Sequence, residues 1–122
     1  MRERKFRVRY HQEAQGNIPE QIIKRVYPFK DLLEYGKPHN IEKIISIDDW
    51  TGLKDKNGSE IFEGDILQYQ FEDEDNKAFE IVWHQFGWGF KYKHWEHPSY
   101  MNPFNIEYGA IIGNIHENPG LL

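Results

Sequence analysis

The sequence predicts a mainly-β fold, a small barrel or sandwich, on three observations. Turn chemistry recurs every ~8–12 residues along most of the chain. Two segments, "KFRVRYH" and "FGWGFKY", alternate with a period of two, the repeat of a strand with two unlike faces. Between apolar runs stands Asn57-Gly58, the strongest short-range hairpin signal, because both residue types tolerate positive φ.

Each element follows in order. Phe6, Val8 and Tyr10 alternate with Arg7 and Arg9, which predicts a half-buried strand with its arginines toward water. "QEAQGNIPE" is polar and holds Gly16 and Pro19, so it is a loop. "QIIKRVYPF" extends to Pro28, which cannot donate to a ladder, and so reads as an edge strand or one ending there. "KDLLEYG" predicts one or two helical turns, with Asp31 as N-cap and Gly36 as the stop. "IEKIISIDDW" fits helical spacing, yet its β-branched richness favours a strand. A hairpin tip at 55–58, a second turn at Glu63-Gly64-Asp65 and a strand from Ile66 come next. "EDEDNK" is an acidic turn, "AFEIVWHQF" and "GWGFKYKHW" are strands around Gly87, and "HPSYMNPF" is a loop. A last strand, a turn at Asn118-Pro119-Gly120 and a short apolar tail close the chain.

A length of 122 residues predicts one domain, 1–122, with a core that needs no metal or disulfide staple. Aromatics at 16% predict a core of few, large side chains. There is no cysteine, so thiolate and disulfide chemistry are excluded. The basic start "MRERKFRVRY" leads into no apolar stretch, and no run approaches the ~18 residues of a spanning helix. A soluble, cytoplasmic protein with no membrane partner is expected. The net charge of −5 is unevenly spread: residues 1–30 hold eight Lys/Arg against three acids, and residues 31–122 hold seven against seventeen. The two parts can attract each other within one fold or between subunits, while overall acidity argues against a general duplex binder.

"TGLKDKNGSEIFEGDIL" at 51–67, followed near the end by "IIGNIHENPGLL", resembles the YopX-like family of phage and prophage proteins. Its members carry a phrase of the type TGLKDKNGxEIxEGDI and, later, IGNIxENPxLL. The likeness runs from "FRVRY" to the last leucine, although residues 71–105 carry no matching motif. It implies an SH3-type barrel core with extra strands and a phage or prophage setting in a bacterial cell. It brings no established activity and no catalytic residues.

The physical reading of that motif is structural. Gly52 permits a bulge, Asn57 and Gly58 form a hairpin tip with Asp55 and Lys56 in water, and Gly64 suits a positive φ. Asp65 can accept backbone N–H groups around the second turn. The competing reading is a binding loop around Asp55, Glu63 and Asp65.

Other candidate sites are few. His84, His94, His97 and His116 are too scattered to predict a metal centre, and "EDEDNK" lacks a calcium-loop pattern; no metal or cofactor is expected. No phosphate loop or nucleophile elbow is present. Phe86, Trp88, Phe90 and Tyr92 fall on one face of a strand, with Gly87, Gly89, Lys91 and Lys93 on the other. That row is core, a protein interface or a stacking platform for single-stranded nucleic acid. The expected function is a non-enzymatic binding or oligomerisation module acting on itself and on a phage or host protein. Its candidate anchors are Trp88, Phe90, Trp95 and Tyr100, flanked by Lys91 and Lys93. The basic strand Arg2–Arg9 would meet an acidic surface of a neighbouring subunit. The alternatives are a single-strand nucleic-acid binder using Lys91, Lys93 and the N-terminal arginines, and a small metal-dependent hydrolase using His94, Glu96 and His97.

Overall fold

The computed structural model describes residues 3–69, 77–85, 87–93, 95–100 and 108–122, with Tyr100 described through its backbone alone. The fold is mainly β, as expected, with antiparallel pairing throughout the described ladders. The chain groups into two compact units, 1–50 and 51–122.

In the first unit, β1 (Lys5–Gln12) is the middle strand between β2 (Gln21–Pro28) and β3 (Glu42–Lys54). The alternation read from the sequence sets the faces. Phe6, Val8 and Tyr10 lie opposite Tyr27, Arg25 and Ile23 on β2, and opposite Asp49, Ile47 and Ile44 on β3, with a bulge between Arg9 and Tyr10. Helix α1 (Phe29–Tyr35) starts directly after Pro28. Pro28, with φ −57° and ψ 150°, is the N-cap in place of the expected Asp31, because proline cannot donate and its dihedrals end the strand there. Asp31 sits instead in the first turn, where a carboxylate suits the helix dipole. Gly36 closes the helix as expected, its N–H donating to the Leu32 carbonyl at 2.9 Å. The helix buries none of its residues; its link to the sheet is Phe29 packed on Phe6 (6.0 Å between ring centres) and the Tyr10 phenol donating to the Gly36 carbonyl at 2.6 Å.

The strand β1 corrects one expectation. Arg9 does not face water; it has no exposed surface. Its Nη1 donates to Ser46 Oγ at 2.8 Å and to Asp48 Oδ2 at 2.9 Å. Arg7 donates to the same oxygen from Nε and Nη2, at 3.2 and 3.0 Å. A buried arginine is tolerated only when a carboxylate and hydrogen bonds replace its hydration, and residues on β3 directly across the ladder provide them.

In the second unit, the end of β3 turns back along β4 (Glu60–Phe62). A five-stranded sheet has the order β8-β7-β6-β5-β9, with β5 at Asp65–Tyr69, β6 at Lys77–His84, β7 at Gly87–Lys91, β8 at Ser99–Tyr100 and β9 at Ala110–Asn114. A 3-10 turn, Pro119–Leu121, follows β9. Ile61, Leu67 and Ile81 form the buried core cluster, with Leu53, Tyr69, Trp88, Phe90 and Ile111 packed against it. Two boundaries differ from the sequence reading. The bend between β6 and β7 is at Gln85 (φ 53°), with Gly87 already inside β7. The stretch "HPSYMNPF", expected as a loop, contributes the short β8.

Candidate functional site

The two motifs of the sequence, far apart along the chain, meet within the second unit. Asp55 does not point into water as expected; it is buried. Its Oδ1 accepts from the N–H groups of Asn57 and Ser59, and its Oδ2 accepts from the N–H of Ile111 on β9, all at 2.9 Å. The tip is therefore a wide loop organised by a carboxylate rather than a two-residue turn. Only Gly58 has positive φ (82°), and Asn57, held by its N–H, does not. Gly64 takes the positive φ expected of it, 87°, and Gly52, read as permitting a bulge, has φ 83°. Asp65, equally buried, accepts from the Phe62 N–H at 2.8 Å and from the Asn114 side-chain amide at 3.1 Å. Asp65 and Asn114 are also partners in the β5–β9 ladder, and the Ile115 N–H donates to the Gly64 carbonyl at 2.8 Å. Carboxylates engaged in this way are fold locks. Each joins backbone or amide N–H donors from segments distant in the chain.

The described members of the aromatic row, Trp88, Phe90 and Tyr92, pack toward the core cluster or its ring neighbours. Trp88 and Phe90 are half-buried against the core cluster, opposite Trp83 and Ile81 of β6 in the ladder. Phe79, which the sequence reading did not single out, is the hub. Its ring lies 5.5 Å from Tyr69, 5.2 Å from Phe90, 5.7 Å from Tyr92 and 5.6 Å from Trp95. The signal for it was present: Phe79, Ile81 and Trp83 alternate as a strand's inner face does. The more open members are Trp95, 38% exposed, and Trp83, 50% exposed and edge-on to Trp88 at 5.1 Å. Tyr100 pairs with Gly89 through its backbone. At Gly89 the strands come so close that a Cβ would sit 2.7 Å from the Ser99 carbonyl oxygen, which explains a glycine opposite the aromatic row. Lys91 lies across the ladder from Glu80, whose carboxyl burial pushes above its usual range, and Lys93 is exposed.

The charged residues of the first unit also pair at home. Arg4 reaches Asp49 at 3.3 Å, so Arg4, Arg7 and Arg9 all find acids on β3. Arg25 grips Glu42 with two bonds of 3.0 and 2.7 Å and lies 4.7 Å over the Tyr10 ring. The Arg25 guanidinium pulls the Glu42 carboxyl down to about 2, aided by the His39 N–H. Burial pushes the Tyr10 phenol up to about 12.

Among the described residues no group of three His, Asp or Glu side chains could hold a metal ion. Phe86, His94, Phe104 and the acidic run Glu72–Asp75 lie outside the described residues. No helix of the described residues is long and apolar enough to cross a membrane.

Comparisons with known proteins agree with this layout. A search of curated proteins finds no match. The crystal structure of protein EF1440 from Enterococcus faecalis is similar over 98% of this chain and 97% of its own, at 26% identity and a TM-score of 0.54. The family model described as YopX protein matches residues 3–122, both motifs included, and the chain belongs to the YopX family.

Proposed function

We propose that this is a phage- or prophage-type protein of the bacterial cytoplasm that acts by binding, and that it associates with itself through its first unit. The observation that carries the reading is the apolar surface left open there. On α1, Leu33 is 84% exposed, with Phe29 and Tyr35 also in water. On β3, Ile44, Ile45 and Ile47 are exposed as well. Large apolar side chains left in water are costly, and burial against a second copy is the cover proposed for them. A partner protein of the phage or its host is a further candidate occupant of the same surface. The buried carboxylates of the second unit, engaged by N–H donors that hold the fold, support binding over catalysis, and an SH3-type barrel is the architecture that the family likeness suggests for that unit.

Light scattering tests this. The wild-type chain at tens of micromolar is expected to run above the monomer mass, and Leu33→Asp with Ile47→Asp to return it to the monomer with an unchanged circular dichroism spectrum. A wild-type monomer at that concentration overturns self-association. Trp83 and Trp95 favour a second reading, stacking of single-stranded nucleic acid, since their rings are the most open tryptophans described. Quenching of tryptophan fluorescence by short oligonucleotides at low salt, lost in Trp83→Ala, supports it; no quenching ends it.

A further inference from the structure

Helix α1 carries two charges that its own chain leaves unmatched. Lys30 and Glu34 are exposed, and among the described residues neither side chain has an ion-pair or hydrogen-bond partner. They stand four positions apart, so they form one row along the helix. Their order is unfavourable for a lone helix. A cation near the N-terminal end and a carboxylate near the C-terminal end oppose the helix dipole, and Lys before Glu is the weaker order of such a pair. Asp31 in the first turn offsets Lys30, but no basic residue stands in the last turn to offset Glu34.

The row borders the apolar side of the helix. At about 100° per residue, Phe29, Leu33, Lys30 and Glu34 succeed one another around one side, and Asp31 and Leu32, both half-buried, lie on another. Phe29 packs on the Phe6 ring and under the Arg4 guanidinium, 5.5 Å from its ring centre, yet stays 59% exposed, and Leu33 beside it has no such cover. The exposed Ile47 and Ile44 of β3 lie across the ladder from Val8 and Tyr10. Cross-strand partners share a face, so these isoleucines lie on the side of the sheet where α1 meets Phe6 and Tyr10.

We propose that two copies of the chain associate through antiparallel α1 helices, with Lys30 of each copy against Glu34 of the other and Leu33 against Leu33. The proposal rests on the self-association reading above and names its contact. A two-fold axis crossing midway between positions 30 and 34 keeps each row on its own side and reverses its direction. Lys30 then faces Glu34 of the second copy, twice by symmetry. The same arrangement brings Lys30 beside the C-terminal end of the neighbouring helix and Glu34 beside its N-terminal end, where each sign is favoured. A parallel arrangement would set like charges level with each other. A pair of seven-residue helices is small for a stable interface, and the isoleucines of β3 supply further apolar area on the same side.

The test is sedimentation equilibrium of the full chain at tens of micromolar, with Lys30→Glu, Glu34→Lys and the double exchange of the two. Wild type is expected as a dimer, since a two-fold contact closes at two copies. Each single change sets like charges against each other at both ends of the contact and is expected to raise the dissociation constant about tenfold. The double exchange restores opposite charges and is expected to return the constant close to wild type. Both side chains are exposed, so the circular dichroism spectrum should be unchanged in all three variants. A dimer that ignores both single changes, or that the double exchange fails to restore, overturns the antiparallel pair and leaves self-association to another contact. A mass above the dimer does the same, because it requires a contact that does not close. A wild-type monomer overturns both readings.

Discussion

The two units solve the same problem, holding short strands together in few residues, with opposite chemistry. In residues 1–50 the fixed points are ion pairs. Asp48 gathers Arg7 and Arg9, and Glu42 gathers Arg25, while isoleucines of β3 and the apolar face of α1 stand in water. In residues 51–122 the fixed points are an apolar cluster and two carboxylates that bind backbone rather than cations. A carboxylate paired with a guanidinium changes its contribution with pH and leaves a buried cation when removed. One that accepts only N–H groups sets loop geometry instead. The comparison sets a unit held by an apolar cluster and backbone-bound carboxylates against one held by ion pairs that leaves apolar side chains in water.

The largest effect expected is from Asp48→Ala. It strands the fully buried Arg9, and breaking one side of such a pair costs about 3–5 kcal/mol. Urea unfolding measures this, and a loss below 1 kcal/mol would mean that Arg9 reaches water. The corresponding break in the second unit is Asp55→Ala. Three N–H groups lose their acceptor, and with water reaching the loop the expected cost is about 3 kcal/mol. Asp55→Asn keeps one acceptor oxygen and should fall between wild type and alanine. A full loss in Asp55→Asn would show that charge, rather than hydrogen-bond geometry, holds the loop, and the contrast between the units would narrow.

Much of this architecture was legible in the residues, for local reasons. The edge strand ending at Pro28, the stop at Gly36 and the positive φ of Gly58 and Gly64 follow from steric rules that act within a few positions. What escaped was long-range. Period two put Arg9 in water because alternation says nothing of Asp48, 39 positions away. A hairpin tip put Asp55 in water because nothing local announces the N–H of Ile111, 56 positions on. The aromatic row was visible as a face. Which side of the strand was covered depended on Phe79 and Ile81 of the neighbouring strand, so core and interface could not be separated from the alternation alone.

A pH titration sharpens the contrast further. The Glu42 carboxyl is lowered from 4.5 to about 2 by Arg25. A depressed pKa means that the folded state binds its proton less readily than the unfolded one. The stabilisation is therefore complete above about pH 4.5 and lost as pH falls toward 2. The wild type should lose stability over that window relative to Glu42→Gln, whose own deficit is constant with pH. Parallel curves for the two proteins would place the pair outside the folding equilibrium.

The smallest effect separates conformational strain from crowding. Gly58 and Gly64 share a positive φ, 82° and 87°. A Cβ at Gly58 would meet nothing within 4 Å, whereas one at Gly64 would lie 3.2 Å from Ile115 Cγ2 and 3.5 Å from the Asn114 amide nitrogen. Gly58→Ala should therefore cost only the left-handed backbone penalty, roughly 1–2 kcal/mol. Gly64→Ala should cost that and more, because Ile115 and Asn114 belong to the lock between β5 and β9 and have little room to retreat. Equal losses in urea unfolding would show that the lock yields freely around residue 64. The second unit would then depend on its apolar cluster and on Asp55, and the carboxylate of Asp65 would be a consequence of the fold rather than one of its supports.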